Sequence, residues 1–165
     1  MATVIYKLGD DISTDIIYPG RYMATVLPTE TPAFAFDDIK ELNEMLKNNN
    51  NDQQRVIVCG NNFGCGSSRE QAASTLKGHN LIMVARNFAR IFLQNSINLG
   101  LQTVICPTID ANVGDELEIA DGKVLNKTTG KSFDTIPLPP ARQAIVNAGG
   151  LIPYTQKRLK EKLNI

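Results

Sequence analysis

Between residues 56 and 106 the sequence switches repeatedly between short apolar runs and longer amphipathic segments. Val56, Ile57, Val58 and Cys59 form a run rich in β-branched residues and read as a buried strand. Residues 70–76 suit a helix, 80–85 a second strand and 102–106 a third, closed by Pro107. Between the last two strands, residues 87–99 carry apolar Phe88, Ile91, Phe92 and Ile97 and stop at Gly100, as a helix does. Strand, helix, strand, helix, strand in this order predicts a parallel sheet with right-handed crossovers.

The link from the first of these strands to its helix is unusual in chemistry. Gly60, Asn61 and Asn62 break the strand, and Gly64 and Gly66 flank Cys65. Glycine lets a backbone turn sharply and approach a ligand closely. Ser67 and Ser68 are of the type that caps a helix, and Arg69 adds a planar fork suited to a carboxylate or phosphate. Hydroxyls, a guanidinium and a helix N-terminus together make a candidate anion site; a plain capped turn is the alternative. The stretch is no Walker loop, because no Lys-Ser or Lys-Thr follows at the required spacing. It lacks the third glycine of the dinucleotide fingerprint and the closing glycine of a nucleophile elbow.

The rest of the chain extends this α/β unit. Residues 2–8 alternate as a first strand, followed by the turn formers of 9–15. Residues 16–18 read as a short extended piece ended by Pro19-Gly20, and 28–36 as a loop or short helical turn. Asp37 and Asp38 are placed to cap a helix running to Leu46, and 48–52 form a polar surface loop. Residues 116–119 and 123–126 make a hairpin about Asp121-Gly122, with a further strand at 131–133. A helix over 139–147 ends at Gly149-Gly150. A basic final helix over 151–163 is expected to dock through Leu151, Ile152, Leu159 and Leu163. With no repeat and no long linker, residues 1–165 read as one α/β domain with an antiparallel addition.

Charge and cysteine usage narrow the function. The 17 basic and 17 acidic residues give a formal net charge of zero, which offers no footprint for nucleic acid or an anionic membrane. No segment is apolar for long enough to span a bilayer, and the N-terminus reads as a strand rather than a signal peptide. Cys59, Cys65 and Cys106 are an odd, widely spaced set, which fits reduced thiols in a cytoplasm. They lack metal-site spacing, and His79 is the one histidine, so soft metal ligands and a Ser-His-Asp triad are both short of residues.

Gly64-Cys65-Gly66-Ser67-Ser68-Arg69-Glu70, with Asn87-Phe88-Ala89-Arg90-Ile91-Phe92 and Asn95-Ser96-Ile97-Asn98-Leu99-Gly100, resembles the small subunit of the aconitase-like dehydratases. Asp11-Ile12-Ser13-Thr14-Asp15-Ile16-Ile17-Tyr18-Pro19-Gly20-Arg21-Tyr22 is similar to that family's N-terminal segment, and Ala148-Gly149-Gly150-Leu151 fits near the end. The resemblance covers nearly the whole chain and looks strongest toward 3-isopropylmalate dehydratase small subunits. It implies the swivelling β/β/α fold, with a largely parallel central sheet. It implies a separate large subunit, in a heterodimer or heterotetramer, that holds a 4Fe–4S cluster through its own cysteines, so that this chain binds no metal. The implied activity is that of a hydro-lyase working only in the complex. Such an enzyme interconverts 2- and 3-isopropylmalate, or another hydroxy dicarboxylic acid, by losing and regaining water, with an open iron site as Lewis acid.

Carried over residue by residue, the resemblance makes Ser67 the catalytic base and gives Ser68 and Arg69 the substrate carboxylates. A serine alkoxide is disfavoured in water, so the arginine, the helix N-terminus and a metal-bound substrate would have to stabilise it. The substrate-specificity loop begins Tyr22-Met23-Ala24-Thr25. Homoaconitase small subunits resemble Tyr-Leu-Arg-Thr here, their arginine meeting a third carboxylate. Ala24 cannot pair a carboxylate, which favours an alkyl substituent. Gln71 departs from the histidine of many members.

Other residues receive plainer readings. Cys65 is expected to be a buried inert thiol, and Cys59 and Cys106 core residues. Asp11 and Asp15 are read as turn-makers, His79 as a surface residue, and Arg86 and Arg90 as members of structural ion pairs. Two rival functions stay open: the same chemistry on 2,3-dimethylmalate or citraconate/methylmalate, and a non-catalytic dicarboxylate-binding module.

Overall fold

A computed structural model describes residues 1–48 and 53–163. Its centre is a seven-stranded sheet in the order β4-β3-β2-β1-β5-β6-β7. The strands are β1 (Ala2–Lys7), β2 (Gln54–Cys59), β3 (Leu81–Ala85), β4 (Gln102–Ile105), β5 (Glu116–Ala120), β6 (Lys123–Asn126) and β7 (Ser132–Asp134). Strands β1 to β4 run parallel, with Val56 opposite Val4 and Ile82, and Val84 opposite Val104. Strand β5 then pairs antiparallel to β1, and β6 and β7 continue the meander. The parallel core and antiparallel addition expected from the sequence are both present. Asp121 and Gly122 take φ of 51° and 74°, the geometry that closes a two-residue hairpin.

The continuous apolar runs of β2 and β3 follow from burial on both faces. Ile57, Cys59, Met83 and Ala85 point one way, into a cluster with Ile17, Leu42, Leu46, Ala72, Leu76 and Phe92. That face is covered by α1 (Thr14–Ile17), α2 (Lys40–Lys47), α3 (Glu70–Gly78) and α4 (Arg90–Leu99). Val56, Val58, Ile82 and Val84 point the other way, against Val4, Ile109, Leu117 and Val124, where the sheet curls over itself. Two further helices, α5 (Pro140–Asn147) and α6 (Leu151–Leu163), close the chain. Gly100 ends α4 in the left-handed region (φ 70°), and a side chain there would collide with the backbone of Gly149. A Cβ at Gly150 would lie 2.7 Å from the carbonyl oxygen of Asn98, so the two turns interlock through bare glycine backbone.

Several local expectations are corrected. Of residues 16–18 only Tyr18 is extended; Ile16 and Ile17 are helical, because Ser13 caps the short helix α1 through a 3.3 Å bond from the N–H of Ile16 to its Oγ. Asp37 and Asp38 do not cap α2, which starts at Lys40 after Ile39; both carboxylates are taken by Arg21. Helix α4 begins at Arg90 rather than residue 87, since Phe88 is held in a bridge to Phe63. Helix α6 lies beside α4 and α5 but buries none of its residues: Ile152 is 73% and Leu163 65% exposed, so the expected apolar docking is only shallow. The expected polar loop at 48–52 falls almost wholly outside the described residues.

Candidate active site

The loops that leave the C-terminal ends of β1, β2 and β3 meet at one end of the sheet, the place where open parallel sheets bind ligands. Their backbones are stitched together. The N–H of Asp11 donates to the Asn61 carbonyl (2.9 Å), that of Gly64 to Ile12 (2.7 Å) and that of Thr14 to Cys65 (2.8 Å). Side chains add a second layer. Asp10 Oδ1 accepts the N–H of Asn61 at 2.6 Å, Asp11 Oδ1 accepts Nδ2 of Asn62 at 2.8 Å, and Asn87 Oδ1 accepts the N–H of Asn62 at 2.7 Å. The two bonds from Asn61 hold the Asp10 carboxyl below the usual range. Asp11 and Asn62 both adopt positive φ (55° and 56°), a conformation that Asp and Asn tolerate better than most residues.

Two glycines shape the loop that follows. Gly64 sits at φ 81° directly on the ring of Phe92, where any side chain would clash. Phe92 belongs to an aromatic floor with Phe63 and Phe88, at centroid distances of 5.2 and 6.1 Å. Gly66, at φ 90°, then turns the chain so that Ser67 and Ser68 emerge into solvent.

Neither serine caps α3. The cap position is Arg69, and no side chain bonds to the first turn. Among the described residues, the Oγ atoms of Ser67 and Ser68 make no hydrogen bond and are open to a ligand. The carbonyl of Ser67 is held instead, accepting from Thr14 Oγ1 at 2.9 Å and from the N–H of Arg69 at 2.8 Å. The Arg69 side chain is 18% exposed and ion-paired through Nη1 with Asp15. The same Nη1 lies 3.5 Å from the Tyr18 carbonyl oxygen. A guanidinium has five N–H donors, so Nε and Nη2 remain for a second carboxylate.

The loop expected to set specificity starts beside this arginine: a Cβ at Gly20 would lie 3.4 Å from Arg69 Nη2. It opens with a short 3-10 turn at Gly20–Tyr22. Tyr22 stacks on Phe34 with centroids 4.1 Å apart and donates its hydroxyl to Asp37 at 2.8 Å. The Tyr18 hydroxyl lies 3.1 Å from the carbonyls of both Tyr22 and Thr25. Met23 packs on the core, which leaves Ala24 as the exposed side chain of Tyr22-Met23-Ala24-Thr25. Arg21 bonds to Asp37 at 2.5 Å and Asp38 at 2.7 Å, and so faces away from any ligand role.

Similar sequences and the same architecture occur in known proteins. The aconitase C-terminal domain profile matches residues 18–108. A 3-isopropylmalate dehydratase small subunit of Methanosarcina mazei is 41% identical, the alignment covering 95% of this chain and 97% of that protein. The chain belongs to the aconitase C-terminal domain family. An isopropylmalate/citramalate isomerase small subunit of Methanocaldococcus jannaschii is 39% identical over 95% of this chain and 94% of its own length. A crystal structure of 3-isopropylmalate dehydratase from Methanocaldococcus jannaschii superposes with a TM-score of 0.87 at 34% identity, covering 99% of this chain and 96% of that one.

Within the aconitase C-terminal domain, then, the structure brings Ser67, Ser68 and Arg69 together, and the 22–25 segment follows directly on Gly20, which lies against Arg69. Sequence reasoning missed two members of the site. Asp15, read as a turn-maker, is the ion-pair partner of Arg69, and Thr14 anchors the loop backbone. Other readings are also revised. Arg86 and Arg90 are exposed and form no ion pair among the described residues. His79 is half-buried, with Nε2 2.8 Å from the Pro32 carbonyl oxygen, and burial pushes its pKa down. Cys65 is half-buried rather than buried, whereas Cys59 and Cys106 are core residues. No described residues group three or more His, Cys, Asp or Glu side chains as a metal site would, and the three thiols are not gathered to hold an iron–sulfur cluster. No helix among the described residues is long and apolar enough to cross a membrane.

Proposed function

We propose that this chain is the small subunit of a 3-isopropylmalate dehydratase, a hydro-lyase that interconverts 2- and 3-isopropylmalate in leucine biosynthesis and works only when joined to a large subunit. The observation that carries the reading is the Ser67-Ser68-Arg69 turn: two unengaged, exposed hydroxyls followed by an arginine that keeps N–H groups beyond its ion pair, at the ligand-binding end of a parallel sheet. Ser67 Oγ takes the proton from the carbon next to a substrate carboxylate and returns it in the reverse direction. Ser68 and Arg69 hold substrate carboxylates, Arg69 by its remaining N–H groups. The exposed hydroxyls leave half of the substrate's surroundings to the partner, in a heterodimer or heterotetramer. The donor set of this chain does not fit an iron–sulfur cluster, and the 4Fe–4S cluster of the complex belongs to the large subunit. Residues 1–165 act as one swivelling domain in the cytoplasm.

Ala24 supports an alkyl-bearing substrate, since an exposed methyl group on the specificity loop offers contact to an isopropyl group and nothing to a carboxylate. The test is anaerobic reconstitution with the large subunit, cluster loaded, and a panel of 2- and 3-isopropylmalate, homocitrate-type acids and methyl-bearing malates. Turnover of isopropylmalate that requires both chains is the expected result. Preference for a methyl-bearing malate would move the substrate and keep the mechanism. No turnover of any acid by a formed, cluster-loaded complex would return the chain to a non-catalytic dicarboxylate-binding module.

A further inference from the structure

Thr14 is 1% exposed, and its hydroxyl donates to the carbonyl oxygen of Ser67 rather than to its own helix. Helix α1 does not need that hydroxyl, because Ser13 already caps it. The N–H of Thr14 donates to the Cys65 carbonyl, and the N–H of Gly64 to that of Ile12. Among the described residues, every hydrogen bond from the backbone of residues 64–68 to another segment ends on residues 12–14. A trans peptide is planar, with C=O and N–H on opposite sides. Turning the Cys65 and Ser67 carbonyls inward to Thr14 therefore turns the N–H groups of Gly66 and Ser68 away from it, on either side of Ser67.

We infer that Thr14 is a positioning residue for the dehydration reaction: its buried hydroxyl fixes the Ser67 peptide and hence the direction in which Ser67 presents its Oγ. The inference rests on the reading of Ser67 as the base. Thr14 acts through the Ser67 carbonyl and needs no contact with substrate. Misplacing a catalytic group by about 1 Å costs on the order of 100-fold in rate.

The experiment compares Thr14→Val, which keeps the shape and loses the donor, with Thr14→Ser, which keeps the donor. Both are assayed in the assembled two-subunit enzyme, alongside Ser67→Ala and the Thr14→Val/Ser67→Ala double variant. Thr14→Val is expected to lower kcat about 10- to 100-fold, with KM within about threefold, and Thr14→Ser to restore kcat to within about threefold of the parent. In the double variant, Thr14→Val should subtract nothing further from the residual rate left by Ser67→Ala. Unchanged kcat in Thr14→Val, equal impairment in Thr14→Ser, or a further loss in the double variant overturns the inference. If Ser67→Ala removes turnover and Thr14→Val does not change it, positioning fails and the base assignment stands. If Ser67→Ala turns over normally, the base assignment itself fails. Should Thr14→Val not co-elute with the large subunit, Thr14→Ala replaces it; loss of fold in both makes the role purely structural and overturns the inference.

Discussion

Arg69 and Asp15 lie 54 residues apart in sequence and form an ion pair at the mouth of the candidate site. The pair joins the loop after β2 to the helix after β1 and engages the guanidinium through Nη1, leaving its other N–H groups for a further partner. Asp15 thereby sets the plane in which Arg69 offers its N–H groups. A point charge cannot be aimed in this way. Replacing Arg69 by Lys keeps the charge and loses the fork. The Arg69→Lys enzyme should retain its fold and assembly, with kcat/KM for isopropylmalate down about 10- to 100-fold, as steady-state kinetics of the reconstituted complex will measure.

Ser67→Ala deletes an exposed hydroxyl that bonds to nothing in the described structure, so stability and complex formation should be unchanged. Removing a general base costs roughly 100- to 10,000-fold in rate. The loss should fall on kcat and leave KM nearly untouched, and normal kcat in the variant would disprove the assignment.

Ala24→Arg places a guanidinium on the exposed position of the specificity loop. A desolvated, unpaired cation against an isopropyl group is unfavourable, whereas a third carboxylate would satisfy it. The variant should lose about 100-fold in kcat/KM on isopropylmalate and gain measurable turnover of a homocitrate-type acid. Competition between the two substrates in one reaction gives the ratio directly.

Acid stability should report on Asp37. Hydrogen bonds from Arg21 first and Tyr22 second, then the nearby Lys40, hold its carboxyl at about 2 instead of 3.8. A carboxylate with a depressed folded-state pKa stabilises the protein above its unfolded value, and the gain disappears as pH falls through the folded value. The wild-type chain should therefore exceed Asp37→Asn in melting temperature at pH 5. The gap should narrow between pH 3.8 and about 2, as thermal melts across that window will show.

Cysteine labelling should follow burial. Burial pushes the Cys59 thiol well up and raises that of Cys106, whereas Cys65 is half-exposed between its two glycines. Iodoacetamide on the folded chain should modify Cys65 first, and Cys59 and Cys106 only with denaturant, as peptide mass spectrometry will reveal. An adduct on Cys65, two residues before Ser67, should also abolish turnover in the assembled enzyme.

The sheet was legible because strand and helix periods differ and because Gly100, Pro107 and Asp121-Gly122 mark their boundaries. Ser67, Ser68 and Arg69 stood out through the motif around them. What stayed hidden depends on distance in space. Nothing local tells that Asp15 meets Arg69, that Asp37 and Asp38 serve Arg21 rather than α2, or that Thr14 spends its hydroxyl on another loop. Ile16 and Ile17 argued for extended chain by propensity, and the Ser13 cap overrode them. The stripe on α6 has the spacing of a docked helix, yet apolar spacing cannot say how much of it a neighbouring helix will cover.

The interlocked backbones of Gly100 and Gly150 have a practical meaning for anyone who maps tolerance to substitution. They meet at the last turn of α4, roughly 15 Å along the helix from the end that supports the serine loop. A selection for leucine-independent growth would return both glycines as intolerant as Ser67, and the pattern would resemble a second catalytic centre. Measuring how much protein each cell holds separates them: glycine variants vanish from the lysate, while Ser67 variants accumulate at normal levels and do nothing.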